Sequence, residues 1–218
     1  MYNLLFSTMT IFYTIVSLFL LTATGLFAQE KPNFIENQIF GKGIEQKSLQ
    51  LSLDVYPFLF LANGGGGSAS IEMSNWQIGV IGFSVVPPDF ITQTFFNNTE
   101  NLNIKRNNAV ELFVNHYLRK DRKGIYVGIM GGPEWFALED KISGETETII
   151  KSYIIPRLGL RVFPFNDHLY ADASFGWSFN LSGTEPNTLG QTTYSATSGG
   201  FIYFLQLGAR INLTKNEE

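Results

Sequence analysis

The chain has 218 residues, of which 44% are apolar, 15% aromatic and only 16% charged, so a soluble domain would lack much of its usual charged surface. The formal net charge is −4, and no basic patch or stripe indicates a nucleic-acid partner. No cysteine is present, which excludes disulfides, thiolate metal sites, a cysteine nucleophile and a lipid-modified cysteine anchor.

The first 28 residues contain no Asp, Glu, Lys or Arg. An apolar run lies around residues 11–21, small residues follow before Ala28, and the first charge is Glu30. This pattern predicts a secretory signal peptide over residues 1–28. The alternative is an uncleaved membrane anchor, although the apolar run is short and is interrupted by Thr and Ser. Residues 29–47 are polar and aperiodic, and they predict a periplasmic N-terminal extension.

Residues 48–55 begin a regular alternation of apolar and polar side chains, which is the period of a β-strand. Pro57 predicts a bulge or an early end to regular pairing, because proline has no N–H to donate. The four glycines at 64–67 predict a flexible turn.

A two-residue turn at Ser74 and Asn75 predicts the first hairpin. It would pair Met73 with Trp76 and Glu72 with Gln77, so that apolar and polar faces match across the turn. The alternation then recurs along the chain, which predicts eight strands in consecutive antiparallel order. The predicted strands are residues 48–55, 68–73, 76–86, 109–118, 125–137, 148–163, 168–183 and 200–213.

The clearest alternation lies in His168–Gly183, HLYADASFGWSFNLSG, where one face is wholly apolar and the other is polar or small. The connections 74–75, 119–124 and 163–167 are short and fall at one end of the predicted barrel. The other four connections, including the three longest, fall at the opposite end. This asymmetry is typical of an outer-membrane barrel.

Charged side chains along the predicted strands share the polar face. An arginine or lysine facing lipid at the midplane costs roughly 2–4 kcal/mol, so this segregation favours lipid outside and a polar interior. We expect the charges to pair with one another, with Asp172 as the partner of Arg161. The predicted interior charge network is Asp54, Glu72, Glu111, Glu134, Arg157, Arg161, Asp172 and Arg210.

Outward aromatic residues gather near the strand ends, as in the aromatic girdles of membrane barrels. Most of them lie toward the long-loop end, and one lies beside a short turn. The predicted interfacial aromatics are Trp76, Trp135, Trp177, Phe179, Phe201 and Tyr203.

The strand pairs FVNHYLRKDRKGIYVGIMGG and RLGLRVFPFNDHLYADASFGWSF resemble those of the small eight-stranded outer-membrane β-barrels of Gram-negative envelopes, of the outer membrane protein A and X type. The resemblance covers about residues 48–213 and implies an all-β fold, an eight-stranded antiparallel up-and-down transmembrane β-barrel. It also implies outer-membrane lipids as surroundings and insertion by the outer-membrane assembly machinery. That machinery usually reads a terminal aromatic residue, whereas here the last strand ends at Leu213 and a tail, 214–218, follows.

Only two histidines could serve histidine-dependent lipid chemistry, and both His116 and His168 lie at the short-turn end. Nucleophilic catalysis needs a base within hydrogen-bond reach of the nucleophile, and His116 has no serine beside it on its face. We therefore expect a non-enzymatic barrel without cofactor or metal, in a structural or surface-interaction role. Recognition would fall on the loops Pro87–Arg106 and Gly183–Ser198.

Three other functions stay open at this point. The first is a lipid-modifying barrel enzyme, and the second is a secreted soluble barrel with a lipophilic ligand inside. The third is a narrow polar path for small solutes or protons through the predicted charged interior.

Overall fold

A computed structural model describes residues 35–41, 43, 48–88, 95–97 and 100–213. The predicted signal peptide, most of the predicted extension and the tail 214–218 lie outside the described residues. Within the extension, Glu36–Phe40 forms a short π-helical segment. The chain divides after Phe40, and the unit that begins at Gly41 contains the barrel.

Eight antiparallel strands close into an up-and-down barrel, and this confirms the predicted fold class. Three shorter strands form a separate sheet, and a short helix, α1 (Pro57–Leu61), follows the first strand. The barrel strands in chain order are β1 (Gln50–Val55), β2 (Gly65–Met73), β3 (Trp76–Val85), β5 (Leu102–Tyr117), β6 (Gly124–Asp140), β7 (Thr146–Val162), β8 (Leu169–Asn180) and β11 (Gly199–Asn212). The strands of the separate sheet are β4 (Phe96–Asn97), β9 (Asn187–Leu189) and β10 (Thr192–Ala196).

The pairing register confirms the predicted hairpin contacts. Met73 pairs with Trp76, and Arg161 pairs with Asp172. A path that starts at Leu51 and steps from each residue to its paired residue on the next strand comes back to the first strand ten residues further along the chain. The barrel is therefore staggered by ten residues. Eight strands with this stagger tilt by about 40° and enclose an interior just wide enough for side chains to fill.

The connections sort to the two ends of the barrel as predicted. Residues 74–75, 118–123 and 163–168 form what we call the short-turn end. The remaining connections form the long-loop end. There β5, β6 and β7 extend well beyond their neighbours, and their inner faces pack against the separate sheet through an apolar cluster. We call this cluster and the separate sheet the cap.

Two predicted loops are partly strand. Gly65–Gly67 belongs to β2, because β1 and β3 supply ladder partners on both sides and override the low strand propensity of glycine. The loop predicted over residues 87–106 ends earlier, since β5 already begins at Leu102. The register with β6 shifts between Ile104 and Arg106, and this β-bulge breaks the alternation on which the prediction depended.

Pro57 ends the pairing of β1, as expected, but it does so by starting α1. Its fixed φ and missing N–H suit the first helical position. Among the described residues, no helix is both long and apolar enough to cross a membrane.

Candidate functional site

The eight side chains predicted for the interior network all lie inside the barrel. None is more than 6% exposed. Each occupies the inward position of its strand, two residues from the next inward neighbour, so the strand period alone places it there. These residues are Asp54, Glu72, Glu111, Glu134, Arg157, Arg161, Asp172 and Arg210.

Four of the interior charges form one ion-pair cluster toward the short-turn end. Glu72 lies at its centre, with one carboxylate oxygen 2.5 Å from Arg161 Nη1 and the other 3.1 Å from Arg122 Nε. Arg161 Nε lies 3.2 Å from a carboxylate oxygen of Asp172. Ser52 also donates to Glu72, at 2.6 Å. We call Glu72, Arg122, Arg161 and Asp172 the inner cluster.

Arg122 is a member of the inner cluster that the sequence did not predict, because it lies in the turn between β5 and β6. Its backbone has φ 56°, a left-handed conformation that directs the side chain into the barrel. The guanidinium donates to the Ser74 carbonyl at 2.7 Å and to Gln50 Oε1 at 2.5 Å. It thus ties β1 and two short turns to Glu72, and the strand period carries no signal for such a residue.

Two interior arginines do not pair with carboxylates, contrary to the expectation. Arg157 lies opposite Gly128 and Gly176, and it donates instead to Asn115 Oδ1 at 3.0 and 3.2 Å. Its guanidinium also lies 5.2 Å from the ring centroid of Phe113.

Arg210 lies near the end of β11, where its side chain reaches the turns. It donates to the backbone carbonyls of Asp167 and Asp121, at 2.7 and 3.1 Å, and lies over the Phe163 ring at 4.0 Å. Within the described part of the chain, neither Arg157 nor Arg210 forms an ion pair.

Inward glycines provide space for large tyrosines on neighbouring strands. A Cβ at Gly159 would overlap the Tyr126 ring, and a Cβ at Gly208 would overlap the Tyr170 ring. Tyr126 is fully buried and donates to Asp172 at 2.7 Å, while Arg161 stacks on Tyr170 at 4.1 Å. The small inward residues therefore allow close packing of the interior.

A second polar group lies in the half of the barrel toward the long-loop end. Tyr153 donates to Glu111, and Asn107 donates to Glu134 at 3.2 Å. Lys151 pairs across the strands with Glu134 and lies among phenylalanine rings, 4.9 Å from Phe96. Lys151 shares the inward face of β7 with Arg157, so the strand period could have identified it.

Inside the barrel, the described acidic and basic side chains are equal in number. Apart from Asp140 in the cap, five buried carboxylates and five buried cations lie there, and among the described residues four of these ten form ion pairs with one another. The acids are Asp54, Glu72, Glu111, Glu134 and Asp172, and the bases are Arg122, Lys151, Arg157, Arg161 and Arg210.

The outer wall of the barrel is apolar. From the short-turn end up to Arg106 on β5, the outward positions of the described strands carry no Asp, Glu, Lys or Arg. We call this band the uncharged belt. The six predicted aromatics all face outward, and five of them are about half exposed or more. These five are Trp76, Trp177, Phe179, Phe201 and Tyr203, while Trp135 is less exposed.

The two histidines lie apart from the interior charges. His116 faces outward and its ring lies 4.4 Å from that of Trp76. His168 lies at the short-turn end, with Nδ1 3.2 Å from the Arg210 carbonyl. Among the described residues, no three His, Asp or Glu side chains come together as metal ligands.

Asp140 at the tip of β6 fastens the cap. Its carboxylate accepts from the Gln191 N–H at 2.9 Å, from Thr192 Oγ1 at 2.8 Å and from Ser143 Oγ at 2.7 Å. The Gln191 N–H, followed by the hydroxyl donors, holds the pKa of Asp140 well below its usual range. Two connections of the long-loop end are thereby joined to each other.

No protein-family model matches the sequence, and no curated protein matches it. A solved structure, the N-terminal β-barrel domain of OprF from Pseudomonas aeruginosa, is similar to this chain with a TM-score of 0.43 and 13% identity. The match covers 77% of this chain and 100% of that one. The fold assignment above depends on the strand register of this chain itself.

Proposed function

We propose that the protein is an integral outer-membrane β-barrel, non-enzymatic, with a structural or surface-interaction role. The uncharged belt is the observation that carries this proposal. Apolar side chains such as Leu112, 70% exposed, and Ile78, 59% exposed, point away from an interior that holds ten charges. A soluble barrel would place these two sets the other way round.

The filled interior supports a role at the surface of the barrel. Eight strands leave room only for side chains, and the inner cluster and the tyrosines occupy it. At the long-loop end the cap forms a folded surface, and residues 181–186 beside it are exposed. Loops carried on a rigid scaffold commonly provide recognition, so we assign any partner contact to this end.

A pair of arginine substitutions tests the membrane location. Leu112 lies in the middle of the belt on β5, and Leu118, also exposed, lies beside the short turn. Arginine at a bilayer midplane costs roughly 2–4 kcal/mol, but close to 0–1 kcal/mol near the interface. Leu112→Arg should therefore reduce the protein in the outer-membrane fraction and its heat-dependent gel shift, while Leu118→Arg should leave both nearly unchanged.

A soluble barrel would tolerate both substitutions equally, because exposed surface changes usually cost within about 0.5 kcal/mol. Equal behaviour, or recovery of the wild type from the soluble periplasmic fraction, would contradict the membrane location.

For the non-enzymatic role, His116→Ala and His168→Ala should leave the envelope lipid profile unchanged. A changed profile in either variant would favour a lipid-modifying enzyme.

A further inference from the structure

The β-bulge in β5 brings two cations to the outer surface together. In a regular strand Lys105 and Arg106 would face opposite sides, but here both are exposed on the outer side. Bulges commonly re-aim side chains in this way. The two cations lie at the edge of the uncharged belt toward the long-loop end, and Arg106 is two residues beyond Asn108 and four beyond Val110.

The two cations differ in their partners. Lys105 Nζ lies 3.0 Å from Glu139, which also accepts from Asn103 at 3.1 Å. Arg106 donates through Nη1 to Ser84 Oγ at 2.7 Å, and among the described residues no carboxylate pairs with it. Its remaining guanidinium N–H groups are therefore the better anion donors of the two.

A groove of about 470 Å³ lies in the outer wall at Gly82, two residues from Ser84 toward the short-turn end. It exists because the outward side chains of β2 and β3 are very small here. A Cβ built on Gly82 would meet nothing within 4 Å, so the space above this residue is open. The outward residues that line the groove are Leu53, Gly67, Ala69, Val80, Gly82 and Val110.

A second groove provides an internal comparison. It has about 420 Å³, lies over β5, β6 and β7, and is also lined by apolar outward side chains. Toward the long-loop end it is bordered by Ser152 and Leu181, and no cation lines it. No cation lines either groove, but Arg106, which donates to Ser84 two residues beyond Gly82, lies past the long-loop end of the first.

We propose that Arg106 and the groove below it form a binding site for an anionic, phosphate-bearing lipid. The guanidinium would bind the lipid phosphate, for which its fork of N–H donors is well suited, and one acyl chain would lie along the groove. The phosphate thus meets the cation where the uncharged belt ends, at the level of the lipid headgroups. This site rests on the proposed membrane location, because only a barrel in a bilayer would meet such a lipid there.

Native mass spectrometry of the detergent-purified protein tests the site. The probes are dioleoyl phosphatidylglycerol and dioleoyl phosphatidylcholine, which share acyl chains and differ in net charge. One basic residue near a membrane surface favours anionic lipid by about fivefold, so the wild type should retain phosphatidylglycerol about fivefold better. Arg106→Gln should bring this ratio close to one.

Gly82→Leu should fill the groove without disturbing the wall, and it should lower retention of both lipids while keeping their ratio. The matched control is Ala173→Leu, at an exposed outward position on β8, which should behave as the wild type. An unchanged ratio in Arg106→Gln, or equal losses in Gly82→Leu and Ala173→Leu, would overturn the site. Competition by inorganic phosphate at the same concentration would overturn the acyl-chain contact.

The failure of this site is distinguishable from failure of the proposed function. Membrane fraction and heat-dependent gel shift are measured on the same variants, and both should match the wild type. Loss of lipid preference in a protein that still inserts contradicts the lipid site alone. A wild type that stays soluble contradicts the membrane location itself.

Discussion

Glu72→Gln should destabilise the barrel strongly, because Glu72 is the common partner of two buried arginines. The amide keeps the shape of the side chain but removes the charge facing Arg122 and Arg161. Removing one partner from a buried ion pair costs about 3–5 kcal/mol, since an uncompensated charge stays buried. That is a large share of the 5–15 kcal/mol by which typical proteins are stable.

The measurement is a urea titration of the barrel refolded in phospholipid vesicles, followed by gel shift and tryptophan fluorescence. With a slope of about 1–3 kcal/mol per molar urea, the midpoint should fall by more than about 1 M. The matched control is Asp54→Asn. Asp54 is also buried, but it accepts from Ser68 at 2.6 Å and has no ion pair among the described residues.

Asn at position 54 can still accept from the serine, so this change should cost only about 1 kcal/mol. Adding Arg122→Met to Glu72→Gln should restore part of the lost stability, because it removes one of the two uncompensated cations. Equal midpoints for Glu72→Gln and Asp54→Asn, or no coupling in the double variant, would refute the central role of Glu72 in the inner cluster.

Gly159→Ala should cost about 1–3 kcal/mol in the same titration, because its Cβ would overlap the buried Tyr126 ring, while Gly82→Ala should be neutral. Asp140→Asn should expose the cap to limited proteolysis at every pH. In the wild type the pKa of Asp140 is depressed, so its stabilisation is present above the usual aspartate pKa of about 3.9 and is lost progressively as the pH falls from there toward the lower folded-state value. Pepsin should therefore cut the cap faster near pH 2 than near pH 4. Lys151→Met should speed hydrogen exchange in β4, because the ammonium no longer lies over the aromatic rings of the cap; unchanged exchange would argue against this contact.

The strand period predicted the architecture and the side on which each charge lies. Side chains alternate strictly between the two faces of a strand, so the facing of Asp172 and Arg161 followed from counting. Their pairing across β7 and β8 followed from the length of the turn between them. Both predictions needed only local rules, and these hold wherever the ladder is regular.

The failures lie where the ladder is irregular. The bulge at Lys105 inverts the alternation for the first residues of β5, so a strand looked like a loop and the outward pair of cations was missed. Arg122 enters the interior from a turn, through a left-handed backbone conformation that no period encodes. Arg157 and Arg210 were assigned to the correct face, but their partners depend on contacts beyond the paired strand.

The interior glycines change how the polar face of the sequence is interpreted. The small inward residues Gly159 and Gly208 each leave space for a tyrosine ring that fills the interior. Because side chains fill the interior of an eight-stranded barrel, we expect no solute path along its axis. Specific function is then expected on the two surfaces that remain, the cap and the outer wall below Arg106.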